Sequence, residues 1–260
     1  MNEKLVLTGS IVLFKESLSD LHKTIDSFLH LPFNKKLYLI DNTATRFYEY
    51  VFVNKDIEYI AVENNIGFGS AHNKITNKIK SLSKYHLILN PDVSFREEVI
   101  PNLIIELEKD ENLSMIAPKV LFPNGIHQYS CRRYPSVQEL LARRFFLLKR
   151  IFKFTIFKGT YRDKNLNKPF FAEYITGCFH LYKTDDFLVL NGFDERYFLY
   201  MEDVDICKKI DKLGKKKLYF PQEEITHVLK QGSSKSLKLF IIHTSSAIKY
   251  FLKWGFNKKK

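Results

Sequence analysis

The sequence predicts an α/β domain with a mainly parallel, Rossmann-like sheet flanked by helices, because short apolar runs alternate with helix signals along its first half. Hydrophobic residues make up 45% and aromatic residues 15% of the 260 residues, which indicates a folded core and excludes a disordered chain. No run approaches the ~20 apolar residues of a membrane-spanning helix. The apolar run at the N-terminus is broken by Lys15 and Glu16 and lacks a cleavage signal, so we interpret it as a core strand rather than a signal peptide.

The same patterns predict the individual elements in order. Strands are predicted at 9–14, 36–42, 57–63, 86–93 and 114–120. Helices are predicted from an N-cap at Ser19 and over 70–82 and 96–109. The pattern is weak over 121–168 and then predicts a strand at 171–182, a helix at 202–213 ending at Gly214, and a strand at 216–222.

The net charge of +12 is unevenly distributed. Residues 132–168 carry 11 Lys and Arg against 2 acids, and residues 208–260 carry 14 Lys against 3 acids. Between them, residues 169–207 carry 8 acids and 2 basic residues. Two basic flanks around an acidic centre indicate a cation-binding site beside an anionic surface, whereas a nucleic-acid-binding protein is more uniformly basic. The three cysteines are odd in number and lack metal-site spacing, which predicts reduced thiols in the cytosol: Cys131, Cys178 and Cys207.

Two motifs follow predicted strands of the first half. The stretch NNIGFGSAHN (64–73) is similar to the start of a Gly-rich phosphate loop, although a flexible strand-to-helix turn is the alternative and His72 stands where a dinucleotide fingerprint needs glycine. In LNPDV, Asn90 and Asp92 bracket a rigid proline, so the motif is either a plain turn or a ligand set for a divalent ion on substrate phosphates. Ligands of parallel sheets bind at the carboxyl ends of strands, where we expect these residues to converge with Asp41.

The stretch YFLYMEDVDICKKI (197–210) sets Glu202, Asp203 and Asp205 directly after an aromatic run that includes Tyr200. Acids in the first turn of a helix favour its dipole and cap free N–H groups, which accounts for one or two of the three. A carboxylate at the mouth of an aromatic pocket can alternatively act as general base toward a hydroxyl.

A late histidine, His227, lies in THVLKQGSS. A lone histidine is more often packed or hydrogen-bonded than a ligand, but imidazole can complete a metal shell with a carboxylate and phosphate oxygens.

Taken in order, the motifs resemble those of the family 2 glycosyltransferases, specifically the rhamnosyltransferase-like members of bacterial surface-polysaccharide synthesis. The motifs are IVLFKES, LIDN, ENNIGFGSAHN, LNPDV, ITGCFHLY, GFDERYFLYMEDVDICKKI and THVLKQGSS, and they cover roughly residues 6–234. The resemblance implies a GT-A fold and inverting transfer from a nucleotide-sugar. We expect a catalytic domain at 1–232, whose nucleotide-sugar half ends near 120, followed by a basic amphipathic helical tail at 233–260.

The resemblance also implies roles for single residues on the donor side. Asp41 is expected to read the nucleobase, and Asn65, Gly67 and Asn73 to contact the nucleotide. Asp92 matches the metal-binding acid of the D-x-D motif, and Asn90 stands in place of its first acid. A bound Mg²⁺ or Mn²⁺ is therefore implied, with strict metal dependence left open.

On the acceptor side, Asp203 matches the catalytic base, with Glu202 and Tyr200 as acceptor contacts. His227 matches a late histidine that reaches the metal or the diphosphate, and Asp205 is expected to serve structure. Inverting transfer needs one base and a cation on the leaving diphosphate, and no covalent nucleophile.

These expectations describe a cytoplasmic enzyme on the inner face of the cell membrane. It would move rhamnose from dTDP-rhamnose to a glycan or polyprenyl-diphosphate-linked acceptor in O-antigen or capsule synthesis, without a nucleic-acid partner. The alternatives are a hexosyl or N-acetylhexosaminyl transferase using a UDP-sugar, and a non-catalytic basic protein that binds membrane or nucleic acid.

The tail supplies the membrane expectation. A helix over 236–256 would carry an apolar face opposite a polar one that includes Lys238 and Lys253, and Lys258, Lys259 and Lys260 follow it. The apolar face comprises Phe240, Ala247, Phe251 and Trp254. Such a helix either lies on an anionic membrane or docks on the catalytic domain. The segment 141–154 mixes basic and apolar residues more weakly and is also expected near lipid or a lipid-linked acceptor.

Overall fold

The protein is described from a computed structural model that covers residues 5–43, 45–144, 150–229 and 236–256. The strands of its main sheet are β1 (Leu5–Leu13), β2 (Lys35–Asp41), β3 (Ile57–Ala61), β4 (Ser83–Leu89), β5 (Val93–Ser94), β6 (Leu113–Leu121), β8 (Phe170–Phe171), β10 (Phe179–Lys183) and β11 (Lys216–His227). They lie in the order β3-β2-β1-β4-β10-β6-β11-β5, with β8 paired to β11. Two further strands, β7 (Cys131–Arg132) and β9 (Tyr174–Ile175), pair with each other.

The sheet is mainly parallel, as predicted. Strands β1 to β4 pair in parallel, and so do β6 and β11. Strand β10 runs antiparallel between β4 and β6, so its amino end lies at the edge where its neighbours have their carboxyl ends. The predicted strand at 171–182 is therefore three short strands, of which only β10 enters the centre of the sheet.

The helices flank this sheet. They are α1 (Leu18–Leu29), α2 (Phe68–Asn73), α3 (Thr76–Ile79), α4 (Val99–Leu107), α5 (Val137–Arg144), α6 (Lys153–Gly159), α7 (Thr184–Val189), α8 (Glu202–Lys212) and α9 (Leu237–Trp254). Helix α1 starts two residues earlier than predicted: Ser17 is the extended N-cap residue and Ser19 lies inside the helix. The single helix predicted over 70–82 is the pair α2 and α3. Helix α8 ends as predicted, with Gly214 at φ +71° beyond it.

Strand β11 continues past the predicted end at 222 and delivers His227 to the edge of the sheet. Pro221 lies inside the strand although its nitrogen cannot donate to the ladder. The pairing with β6 shifts register between Phe220 and Glu224, so the proline lies at an irregularity where its missing N–H breaks no regular bond.

A buried polar cluster ties α2 to the sheet beneath the Gly-rich loop. Ser10 Oγ of β1 lies 2.7 Å from His72 Nδ1 and 3.2 Å from His86 Nε2, and Thr8 Oγ1 lies 3.0 Å from His86 Nδ1. Burial lowers the pKa of His86 to about 3, so the cluster is neutral. His72, which breaks the dinucleotide fingerprint, thus fixes the helix that follows the loop.

Across the described residues, no helix combines the length and the apolar character needed to cross a bilayer.

Candidate active site

Asp41 is the last residue of β2, and both oxygens of its carboxylate accept hydrogen bonds. Its Oδ1 accepts a hydrogen bond of 2.7 Å from the Thr43 N–H, and its Oδ2 accepts one of 2.6 Å from the Tyr59 hydroxyl. Burial, followed by this hydrogen bond, raises the pKa of Tyr59, so the phenol keeps its proton and remains a donor. The residue predicted to read the nucleobase is therefore held rigidly at the carboxyl edge.

The Gly-rich loop is fixed from two sides. Asn65 Oδ1 accepts from the Gly67 N–H at 2.9 Å, and Asn42 Nδ2 donates to the Gly67 carbonyl at 3.1 Å. Gly67 has φ +89°, and a Cβ there would lie 2.1 Å from the Phe198 carbonyl oxygen. The Phe68 N–H donates to that same oxygen at 3.0 Å. Glycine is thus required, and the loop packs directly on the turn that precedes α8.

Asn73, the third residue predicted to contact the nucleotide, lies against another loop. Its Nδ2 donates to the Phe193 carbonyl at 2.9 Å and to Glu195 Oε1 at 3.1 Å, and its Oδ1 accepts from the Phe193 N–H at 2.9 Å. The amide is therefore occupied in joining α2 to the 193–195 loop, and its nucleotide contact stays a prediction.

The D-x-D-like motif meets the end of β11. His227 Nε2 lies 3.2 Å from Asp92 Oδ1 and 3.4 Å from Asn90 Nδ2, while His227 Nδ1 lies 2.9 Å from Gln128 Oε1. Burial alone would lower the pKa of His227, but the Cys178 and Asp92 side chains outweigh it and raise that pKa to about 10. The structure therefore brings three predicted site residues together, and it adds Gln128. No motif marked Gln128, because it lies in the segment with the weakest pattern.

The donor set at this point suits a divalent cation. A carboxylate and an imidazole are available from Asp92 and His227, and a cation on a nucleoside diphosphate takes its remaining ligands from phosphate oxygens and water. Among the residues that the structure describes, His, Cys, Asp and Glu do not gather into groups of three or more able to hold a metal ion. Asp92 and His227 are therefore two candidate ligands for a cation at this point.

Glu202, which is buried, and Asp203, which is partly exposed, begin α8 side by side. Asp203 Oδ2 accepts from the Gly177 N–H at 3.1 Å, and its Oδ1 accepts from the Val204 N–H at 2.8 Å. Glu202 is 6% exposed, and its Oε2 has no hydrogen-bond partner among the described residues. Burial, reinforced by Asp203, raises the pKa of Glu202 well above its ordinary value. Burial also raises the pKa of Asp203, against the opposing effect of the two N–H donors and of Arg132.

The two halves of the site are joined through the start of β10. The Asn90 N–H donates to the Cys178 carbonyl at 2.9 Å, and the neighbouring Gly177 donates to Asp203. Gly177 and Cys178 thus connect Asp203, at the start of α8, to Asn90, just after β4.

Glu202 and Asp203 line a cleft of about 630 Å³ between α5, α8 and α9. Its walls are mainly apolar, from residues such as Val137, Leu140, Ala247 and Phe251, and its polar groups include Arg132, Thr176 and His243. Tyr200, the predicted acceptor contact, is also part of the lining, and its ring lies 5.1 Å from that of His243. The aromatic run before the acids is therefore a pocket wall in part, as expected.

Asp205 serves structure, as expected, and is completely buried. Its carboxylate accepts hydrogen bonds from the Tyr197 hydroxyl at 3.2 Å, from the Trp254 indole N–H at 2.7 Å, and from Lys253. Lys253 was assigned to the polar face of α9, yet its ammonium group reaches inward, 2.7 Å from Asp194 and 2.7 Å from Asp205.

Helix α9 packs on the domain through the face that was predicted to be apolar. Phe251 is buried, and Ala247 and Trp254 pack against the core. A neighbouring face of the helix exposes Leu237, Ile241, Ile248 and Leu252. Lys258 to Lys260, residues 145–149 of the weakly amphipathic segment, and the predicted boundary at 232 lie outside the described residues.

The sheet and the site edge together define a glycosyltransferase fold. GalNAc-T7, solved with UDP, GalNAc and Mn²⁺, matches 95% of this chain and 48% of its own at a TM-score of 0.70 and 18% identity. The mannosyltransferase PcManGT from Pyrobaculum calidifontis, in complex with GDP-Man and Mn²⁺, matches 99% of this chain and 66% of its own at a TM-score of 0.61 and 13% identity. At these identities the likeness shows the fold alone.

Sequence comparison narrows the resemblance to rhamnosyltransferases. The chain is 25% identical over 193 residues to Rhamnosyltransferase WbbL of Escherichia coli (strain K12), covering 71% of this chain and 69% of that protein. It is 26% identical over 175 residues to the N-acetylglucosaminyl-diphospho-decaprenol L-rhamnosyltransferase of Mycobacterium tuberculosis (strain ATCC 25618 / H37Rv), covering 63% of this chain and 56% of that protein. No family model matches the chain.

The chain spans little more than half of the mycobacterial relative and about half of GalNAc-T7. The predicted likeness to rhamnosyltransferase-like family 2 glycosyltransferases is confirmed, and so is the predicted fold.

Proposed function

We propose that the protein is an inverting glycosyltransferase that moves rhamnose from dTDP-rhamnose to a hydroxyl of a lipid-linked or polysaccharide acceptor in cell-surface glycan synthesis. The observation that carries the proposal is Asp203, a partly buried carboxylate held by two backbone N–H groups at a cleft wall. Residues 177 and 178 join it to the motif that contains Asp92. The two relatives reported above, both named as rhamnosyltransferases, support the choice of sugar.

In this proposal Asp203 takes the proton of the acceptor hydroxyl as its oxygen attacks the anomeric carbon. Burial raises the pKa of Asp203 and so makes it a stronger base, while the Gly177 and Val204 N–H groups fix its direction. The bond to the nucleoside diphosphate breaks in the same displacement, which inverts the anomeric centre. Glu202, beside Asp203 in the lining of the cleft, would contact the acceptor.

On the donor side, Asp41 would contact the nucleobase, and Asn65 and Gly67 would shape the loop against the nucleotide. Asp92 and His227 would hold a divalent cation, with Asn90 beside them. When bound, a Mg²⁺ or Mn²⁺ ion would neutralise charge on the departing diphosphate. GalNAc-T7 and PcManGT were both solved with Mn²⁺.

For the acceptor we propose a polyprenyl-diphosphate-linked glycan. The mycobacterial relative is named for such a lipid, and the apolar walls of the cleft beside Asp203 suit an isoprenoid. The exposed apolar face of α9, with Leu237, Ile241, Ile248 and Leu252, would then rest on the inner face of the cell membrane, where the net charge of +12 favours anionic lipid.

Vesicle binding tests the membrane part separately. The double variant Ile248→Ser with Leu252→Ser should sediment less with phosphatidylglycerol vesicles than the parent protein. Ile105→Ser, which changes an exposed isoleucine of α4, is the matched control and should sediment like the parent. Equal sedimentation of all three proteins would remove α9 as the contact surface.

The enzyme activity is tested by a donor screen with dTDP-, UDP- and GDP-sugars, each with and without Mg²⁺ or Mn²⁺. We expect dTDP-rhamnose to raise the melting temperature and to support transfer to an acceptor lipid. Asp203→Asn should lower kcat by about 10³-fold, since it removes a general base, while donor binding persists. Asp185→Asn, which changes an exposed carboxylate of α7, is the control and should keep full activity.

The outcome of the screen also separates the alternatives. Stabilisation by a UDP-sugar instead would identify the hexosyl or N-acetylhexosaminyl transferase. Full function in Asp203→Asn, or stabilisation by none of the donors, would contradict the transferase. A non-catalytic nucleic-acid binder would show affinity that falls steeply with salt.

A further inference from the structure

The turn that leads into α8 has a strained backbone. Tyr200 and Met201, directly before Glu202, both have positive φ, at 68° and 71°. Two consecutive non-glycine residues in the left-handed region cost about 1–3 kcal/mol each and persist only where their surroundings hold them. The turn at 198–201 therefore needs external anchors.

Helix α9 supplies anchors on one side of this turn. The Ser246 hydroxyl, 2% exposed, donates to the Leu199 carbonyl at 2.8 Å. Three residues further along the helix, Lys249 Nζ donates to the Arg196 carbonyl at 2.8 Å. His243, one turn before Ser246, packs its ring edge-on against Tyr200.

Helix α9 also holds α8 just beyond Glu202 and Asp203. Lys253 and Trp254 bind the carboxylate of Asp205, two residues after Asp203. The Asp205 N–H in turn donates to the Met201 carbonyl at 2.8 Å, which closes the first turn of α8. Glu202 and Asp203 thus lie between two points that α9 fixes.

The turn has a third neighbour, the donor loop. The Phe198 carbonyl accepts from Phe68 and lies where a Cβ of Gly67 would be. One four-residue turn therefore contacts the nucleotide loop, begins the catalytic helix, and receives the hydroxyl of Ser246.

We propose that α9 is a positioning element of the transferase, and that Ser246 is the residue through which it sets the direction of Glu202 and Asp203 into the cleft. The inference rests on the proposed role of Asp203 as base. If the Leu199 carbonyl loses its donor, the strained turn can relax and the carboxylate moves relative to the acceptor hydroxyl. Misplacement of a reacting group by about 1 Å can cost 10²-fold in rate.

The test compares Ser246→Ala with Ser245→Ala, an exposed neighbour on the same helix. We expect Ser246→Ala to lower kcat at least about tenfold, whereas the donor KM changes by less than about twofold because Asn42 and Asn65 still hold the donor loop. Ser245→Ala should match the parent in both constants. If Ser246→Ala fails to fold, Trp254→Phe replaces it, since it removes the indole donor to Asp205 and keeps an aromatic ring.

Hydrogen exchange supplies a readout that needs no turnover. The amides of 198–203 should exchange faster in Ser246→Ala than in Ser245→Ala, while the strands exchange equally. Unchanged kcat in Ser246→Ala would overturn the proposal, and so would equal exchange at the turn. A parent protein that transfers no sugar would instead contradict the proposed function, and the exchange result would still report whether α9 holds the turn.

Discussion

The carboxylate at the end of β4 and the carboxylates at the start of α8 differ in what balances their charge. Asp92 lies 3.2 Å from His227, which pairs with it when protonated and, as a neutral imidazole, would share a bound metal ion with it. Glu202 and Asp203 form no ion pair within the described part of the chain and depend on backbone N–H groups. A balanced carboxylate stays charged and can anchor a cation, whereas an unbalanced buried one holds its proton more tightly and can exchange it with a substrate.

Asp205 extends the comparison within α8 itself, and its removal should have the largest effect on stability. It is a balanced carboxylate two residues from an unbalanced one, and it joins α9 to the domain. Asp205→Ala leaves Trp254 and Tyr197 without their acceptor, so we expect the free energy of unfolding to fall by about 3 kcal/mol. Urea denaturation measures this loss. Asp185→Ala, on the surface, should cost less than about 1 kcal/mol, and equal losses would break the comparison.

The second-largest effect is expected on nucleotide binding, from substitutions at Asp92 and Asn90. Asp92→Asn removes the charged member of the proposed cation site, so we expect nucleoside diphosphate to bind about tenfold more weakly with Mg²⁺ or Mn²⁺ and to lose its response to metal. Asn90→Asp restores an acid at the first position of the motif and should strengthen that response. Isothermal titration with and without metal measures both. Metal-independent binding by all three proteins would contradict a cation at Asp92.

The smallest expected effect is a pH-dependent one at Glu202. Its folded pKa lies above its unfolded value because of burial and of Asp203, so the folded state binds the extra proton and stability falls as pH rises above about 4.3. Glu202→Gln removes this fall. We expect it to unfold like the parent near pH 4 and to be more stable by roughly 1 kcal/mol near pH 8. Thermal or urea unfolding across that range would detect it, and a constant difference would refute the assignment.

The placement of the residues predicted to bind the donor followed from local signals. Asp41, Asn65, Gly67, Asn90 and Asp92 each follow a short apolar strand, and parallel topology is enough to bring strand ends together. The antiparallel direction of β10 was not predictable, since it is set by pairing between segments about 90 residues apart in the chain. Nor was Gln128, which reaches His227 from a segment without periodicity.

In the C-terminal helix α9, the sequence pattern predicted the helix but not the direction of one side chain. The hydrophobic spacing gave the helix and its apolar face, but it placed Lys253 on the polar side. The lysine instead turns inward, because two buried carboxylates, Asp194 and Asp205, lie within reach of its long side chain. A helical projection represents each side chain by its Cα direction and does not include partners on other elements.

The reversed strand β10 has a consequence for how this sheet could be redesigned. Because β10 meets the site edge with its amino end, Gly177, two residues before the strand, presents an N–H to Asp203. A strand running with its neighbours would end there and offer carbonyl oxygens, which repel a carboxylate. Replacing β10 with a parallel strand, in a circular permutation or a chimaera, would reverse the polarity of the backbone next to Asp203. The direction of β10 thus decides whether the backbone there donates a hydrogen bond to this carboxylate or repels it.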